Sequence, residues 1–117
     1  MKLNPAHALL EIHLKELGLE FDREVKFSLD RRWRFDYVLE NNIAIEIEGS
    51  VYAQGRHTRG KGFEADCEKY NTATTMGWRV LRFSTGQILR GEARDFLKKW
   101  REHEQRPLYG QGGSNDR

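Results

Sequence analysis

Ile43-Ala44-Ile45-Glu46-Ile47-Glu48-Gly49, together with Arg34-Phe35-Asp36-Tyr37-Val38-Leu39 just before it, decides the fold. Each stretch alternates strictly, as a strand with two unlike faces does. Ile43, Ile45 and Ile47 line one face of the later strand, with Ala44, Glu46 and Glu48 on the other. Phe35, Tyr37 and Leu39 share a face of the earlier strand, and Arg34, Asp36 and Val38 share its opposite. A hairpin that buries both apolar faces together pairs Leu39 with Ile43, Tyr37 with Ile45 and Phe35 with Ile47. A slip of one residue would turn one strand's apolar set toward the other's carboxylates. The same register sets Asp36 across from Glu46, and Arg34 across from Glu48. Directly opposed Cβ atoms lie about 4.5–5.5 Å apart, where like charges are destabilising. Two carboxylates held that close call for a shared proton, a basic neighbour or a divalent cation.

Outward from the hairpin, Asn4-Pro5 begins a helix, with Asn as N-cap and Pro at the first helical position. Ala6, Leu10, Leu14 and Leu17 recur at helical spacing, and Gly18 ends the run. His7 and Glu11, four apart, flank that stripe. Phe21 to Phe27 alternates as a strand, and Leu29-Asp30-Arg31-Arg32 turns the chain. Glu40-Asn41-Asn42 then joins the two acidic strands. Gly49 to Gly62 holds five glycines or serines and is expected as a long polar loop, of the kind that carries function. Phe63 to Met76 follows as a second helix, with Phe63, Cys67, Tyr70 and Ala73 or Thr74 as its stripe and Gly77 as its stop.

Trp78-Arg79-Val80-Leu81-Arg82-Phe83-Ser84 is a fourth strand, rich in β formers. Strand, crossover helix and strand in one sheet make a right-handed parallel connection. A last helix begins near Ser84 or Thr85 and buries Ile88, Ala93, Phe96, Leu97 and Trp100. The order α-β-β-β-α-β-α predicts an α/β fold: one mixed four-stranded β-sheet flanked by helices, in a single domain over residues 1–106. Residues 107–117, Gly-, Ser- and Asn-rich toward the end, are expected as a flexible tail.

A chain of 117 residues suits one modest core. No run of about eighteen apolar residues is present, which excludes a membrane-spanning helix. The N-terminus lacks an apolar signal-peptide core, so the cytoplasm is the expected compartment. The lone cysteine, Cys67, excludes an internal disulfide and a cysteine-rich zinc site. Net charge is only +2, yet 32% of the residues are charged, which fits either an ordinary soluble surface or separate acidic and basic patches. Two basic stretches support the second, Arg31-Arg32-Trp33-Arg34 and Arg56-His57-Thr58-Arg59-Gly60-Lys61-Gly62. Their aromatic neighbours fit a phosphate-backbone partner. Arg32, Arg34, Arg56, His57, Arg59 and Lys61 are the candidate nucleic-acid contacts; for His57, a plain surface role weighs equally.

Asp36, Glu46 and Glu11 offer hard oxygen ligands, which suit Mg²⁺ or Mn²⁺ better than zinc. Glu11 joins the set if its helix packs on the acidic sheet face; an isolated helix glutamate is ordinarily solvated. A water acidified by the metal can attack a phosphodiester, with a nearby lysine to orient it. The competing account is a surface salt-bridge ladder, Arg34 to Glu48 and Arg23 to Asp36, worth little energetically. Three carboxylates beside a Gly-rich basic segment favour the metal site.

The segments RRWRFDYVLENNIAIEIEG, GRHTRGKGFEADCEKYN and GWRVLRFS resemble the PD-(D/E)XK nuclease superfamily. Within it they are most similar to the small branch that holds very short patch repair endonucleases and related phage and bacterial proteins. The resemblance covers most of positions 5 to 84 and implies a restriction-endonuclease-like core. It implies Asp36 as the central metal ligand and Glu46 as the second acid. It further implies the backbone carbonyl of Ile47 as a ligand and Glu11 as the match to a helix glutamate that some members place near the metal. Glu48 stands where the superfamily often has lysine. Lys69 on the crossover helix is the first candidate to fill that role, then Lys61, with His57 as an alternative acid or base. The short-patch-repair relatives also carry cysteine-rich zinc, which this chain cannot.

The expectation is therefore a Mg²⁺- or Mn²⁺-dependent DNA endonuclease with Asp36, Glu46, Glu48 and Lys69 as catalytic residues. Structure-selective cutting of nicked, branched or mismatched DNA is favoured, in repair, recombination or phage DNA processing. The alternatives are a non-catalytic nucleic-acid-binding module on a degenerate nuclease fold, and an interaction protein with a charged face. A homodimer is compatible with the sequence and not determined by it.

Overall fold

Asn4 caps the first helix: its side chain accepts the N–H of His7 at 2.9 Å, and Pro5 opens α1, Pro5–Glu16. The predicted stripe is the buried one, with Ala6, Leu10, Leu14 and Leu17 all below 5% exposed. Gly18, at φ +73, turns the chain out of the helix in a conformation that costs other residues a Cβ clash. The computed structural model describes residues 3–49 and 51–104, without the side chains of residues 51–59 and 61. The expected tail, residues 107–117, lies outside the described residues.

Three strands follow: β1 (Asp22–Lys26), β2 (Arg34–Val38) and β3 (Ile43–Glu48). After the helix α2 (Val51–Thr75), β4 (Arg79–Ser84) completes a sheet of order β1-β2-β3-β4. β1 and β2 pair antiparallel, as do β2 and β3, whereas β3 and β4 are parallel. The mixed four-stranded sheet flanked by helices is the α/β architecture that the periodicities predict. The β2–β3 turn has both Asn41 and Asn42 at positive φ, the twist-matched hairpin geometry that Asn tolerates.

The hairpin register is the predicted one over its inner half: Tyr37 pairs with Ile45, Val38 with Ala44, and Leu39 donates to Ile43. Beyond Tyr37 strict alternation fails. Phe35 does not join Tyr37 and Ile47 on one face. It packs with Phe27, Ala44 and Ala73, while Tyr37, Ile45 and Ile47 pack against α1. The ladder gives way at Asp36, where side chains bond the opposite backbone instead. On β1 the residue in register with Asp36 is Glu24, which holds φ +47, a left-handed conformation uncommon for a residue with a Cβ. Arg34 correspondingly meets Glu24, at 3.4 Å, and not Glu48.

Two apolar layers result. α1, α3 (Thr85–Leu89) and α4 (Glu92–Glu104) cover one face through Leu10, Leu14, Ile88, Ala93 and Leu97. The C-terminal turns of α2 cover the other through Ala73, against Phe35, Val38, Trp78 and Val80. Phe27 stacks on Phe35 with ring centroids 4.1 Å apart.

Other expectations change as well. The segment taken as a loop from Gly49 to Gly62 is helical from Val51, continuous with α2, despite its glycines. Each glycine weakens a helix by about 1 kcal/mol, so propensity argued for a loop that the longer helix overrides. Phe63 and Cys67 are exposed, because only the last turns of α2 reach the sheet. The final helix is two: Ser84 caps α3 with a reciprocal Gln87 bond, and Gly91 at φ +84 separates α3 from α4. Ile88, Ala93 and Leu97 are buried as expected, and Trp100 partly so, but Phe96 is exposed.

Candidate active site

β2 and β3 part where the acids sit. Asp36 Oδ2 accepts the N–H of Ile47 at 2.8 Å, and Glu46 Oε2 accepts the N–H of Asp36 at 3.0 Å. Each carboxylate thus satisfies a backbone donor of the facing strand. Glu46 is only 8% exposed, so its charge requires partners. Its Oε1 receives two more donors, Lys69 Nζ and the Tyr70 hydroxyl, both at 2.8 Å.

Consecutive positions on α2 supply those two donors, and burial makes the contact tight. The Lys69 side chain is 15% exposed, and its ammonium lies 5.8 Å from the Phe35 ring and 5.3 Å from that of Tyr70. Burial, with the adjacent Glu46 charge, pushes the Tyr70 phenol up from its ordinary pKa. The phenol therefore stays protonated and donates.

Glu48 pairs with Arg82 Nε at 2.9 Å. Arg82 lies on β4 in register with Glu46, and its guanidinium sits 4.5 Å from the Tyr70 ring. Asp36, Glu46, Glu48, Lys69, Tyr70 and Arg82 thus form one network on the α2 side of the sheet. Of these, Tyr70 and Arg82 were not among the sequence candidates. Alternation along β4 held the signal for Arg82: Trp78 and Val80 are partly buried on the α2 side, and Arg82 is the next residue of that face.

Glu11 does not join the group. It is 4% exposed on the α1 side, where both its oxygens bond Arg23, at 2.7 and 2.8 Å, and Oε2 also accepts the Tyr37 hydroxyl at 2.7 Å. The Arg23 hydrogen bond dominates; with the Tyr37 bond it outweighs burial and so holds the Glu11 carboxyl down at about 2. The expected ladder is also redistributed: Arg23 takes Glu11 in place of Asp36, and Arg82 takes Glu48 in place of Arg34.

Among the described residues no three His, Cys, Asp or Glu converge into a cation cage. The usable donors are the two acids Asp36 and Glu46, with Asp36 Oδ1 outside any hydrogen bond among the described residues. Two carboxylates with water suit Mg²⁺, which seldom takes more from protein.

Of the candidate nucleic-acid contacts, Arg32 and Arg34 are exposed near the same end of the sheet. Arg31, next to them, stacks on Trp33 at 4.6 Å and pairs with Glu68, tying the β1–β2 turn to α2. The side chains of Arg56, His57, Arg59 and Lys61 lie outside the described residues. Among the described residues no helix is long and apolar enough to cross a membrane.

The fold has a counterpart among solved structures. The catalytic domain of the homing endonuclease I-Bth0305I aligns with a TM-score of 0.64 at 17% identity, over 86% of this chain and 98% of that one. No family model matches the sequence, and no curated protein matches it. At that identity the likeness establishes a shared fold.

Proposed function

We propose that this protein is a metal-dependent DNA endonuclease whose site is the Asp36–Glu46 opening between β2 and β3. The observation that carries the proposal is the Glu46 carboxylate. It is buried beside Asp36 and held by Lys69 and Tyr70, in a chain that shares its fold with a homing endonuclease catalytic domain. A desolvated carboxylate costs far more than a surface salt bridge returns, which favours a role for Glu46 beyond the fold.

A divalent cation would be held by Asp36 and Glu46, with the Ile47 carbonyl beside them. When bound, Mg²⁺ or Mn²⁺ supplies an acidified water and neutralises charge on the phosphodiester. Lys69 and Tyr70 fix the rotamer of Glu46, and Arg82 fixes Glu48. Asp36 keeps one oxygen available. The exposed Arg32 and Arg34 contribute to backbone binding. This reading retains the relation to PD-(D/E)XK nucleases, with Lys69 entering from α2 and not from β3.

The deciding experiment is a cleavage panel of linear, nicked, mismatched, flap and four-way DNA with Mg²⁺ or Mn²⁺. Asp36→Ala abolishes cutting on this proposal; equal activity in that variant overturns it. A second reading, a non-catalytic DNA-binding module, draws on Glu46 already having a protein donor on each oxygen. Calorimetry separates the two, because the module binds DNA with salt dependence but no Mn²⁺.

A further inference from the structure

Among the described residues, Lys69 and Arg82 border the acidic opening, and they are not equivalent. Lys69 is enclosed: its ammonium bonds Glu46, and its side chain is 15% exposed. Arg82 is 46% exposed and spends only its Nε, on Glu48. Its terminal NH₂ groups make no hydrogen bond among the described residues, so a planar pair of donors remains for an outside ligand.

That fork is also held still. β4 places Arg82 in register with Glu46, one strand away. Glu48 grips one edge of the guanidinium, and the Tyr70 ring lies 4.5 Å beneath it. Tyr70 is fixed in turn by its hydroxyl on Glu46. A cation anchored at its Nε and on one face, with its terminal donors unspent, is arranged to take a tetrahedral oxyanion by two parallel hydrogen bonds.

We propose that Arg82 is the residue that receives the scissile phosphodiester and supports the charge that builds on it, with Glu48 and Tyr70 as its positioning residues. This deepens the nuclease reading and rests on it. Water is the one co-reactant: its oxygen bonds phosphorus as the P–O ester bond breaks, the leaving oxygen departs with a proton, and Arg82 exchanges none.

The test uses the full chain, a 20-base-pair duplex and two readouts. The first is binding in Ca²⁺ across a salt series; the second is cleavage in Mg²⁺ or Mn²⁺. Arg82→Gln keeps a donor for Glu48 and removes the charge. It lowers the salt slope by about one and cuts cleavage on the order of 10²–10³-fold. Arg94→Ala, whose residue pairs with Glu16 on the α1–α4 side, is the control and changes neither. An unchanged slope, or wild-type cleavage, in Arg82→Gln overturns the assignment. Should that variant fail to give a wild-type melting transition, Arg82→Lys carries the test. It retains the charge and the slope but loses the fork and the rate, and full cleavage there overturns the proposal. Absence of cleavage by the wild-type protein instead overturns the nuclease reading, and the slope alone then decides whether Arg82 meets phosphate.

Discussion

Asp36 donates its backbone N–H to Glu46 Oε2 at 3.0 Å, and its own carboxylate accepts from the N–H of Ile47 at 2.8 Å. The two acids that the hairpin register opposes thus bond each other's strands. Like charges at this spacing repel, and here backbone dipoles, an ammonium and a phenol offset the repulsion. The acids also hold the strands apart where the ladder ends, so substituting either acts on the backbone and on the chemistry together.

Glu46→Ala removes the acceptor from Lys69 Nζ, the Tyr70 hydroxyl and the Asp36 N–H at once. Breaking a buried charged pair by deleting one partner costs about 3–5 kcal/mol. Glu46→Gln keeps one acceptor oxygen and costs less. Urea denaturation of the three proteins should rank them wild type, Gln, Ala. Equal midpoints would mean that the network contributes nothing to the fold.

Lys69→Met separates orientation from charge. Methionine keeps much of the apolar stem between Phe35 and Tyr70 but removes the ammonium 2.8 Å from Glu46. A cation beside a cation site repels the incoming metal, so Mn²⁺ should bind more tightly in this variant by calorimetry. The same change frees the Glu46 rotamer, so kcat for DNA cleavage should fall while KM holds. Weaker Mn²⁺ binding in Lys69→Met would contradict this division of roles.

Much of the fold was legible in the sequence because burial enforces period. The stripe Ala6-Leu10-Leu14-Leu17 and the alternation of Ile43 and Ile45 are the cores that formed. Phe35 broke the pattern for a reason that periodicity does not encode: carboxylates one residue away took over the hydrogen bonding of the ladder. In the site, the pairing of Asp36 with Glu46 followed from register alone. Lys69 was named by resemblance, and its contact with Glu46 came from where α2 crosses the sheet. Glu11 was misplaced because helical spacing says which side of a helix is buried, not which layer receives it. The helical stretch from Val51 was missed because glycine content outweighed continuity.

The position of Glu11 makes its own prediction about the metal. Both its oxygens are occupied by Arg23, and one also by Tyr37, on the α1 side. Glu11→Gln should therefore leave Mn²⁺ affinity at the wild-type value, whereas Asp36→Asn and Glu46→Gln reduce it. A loss of Mn²⁺ binding in Glu11→Gln comparable to that in Asp36→Asn would return Glu11 to the ligand set.

The same residue sets how the protein responds to acid. Arg23 and Tyr37 hold the folded Glu11 carboxyl at about 2, against 4.5 for the free group. The unfolded chain therefore binds the proton first as pH falls, and stability declines with it. The contribution is complete above about pH 4.5 and is lost progressively toward pH 2. Its size is on the order of 2–3 kcal/mol, because Arg23 is half exposed and solvent screens the pair. In Glu11→Gln this part of the acid dependence is missing. The variant is less stable at pH 7, since its neutral amide cannot replace the charged bonds to Arg23, and the two unfolding curves converge as pH falls from 4.5 toward 2. Thermal melts across that range check the sign. Parallel loss of stability in both proteins would show that other carboxylates govern acid unfolding.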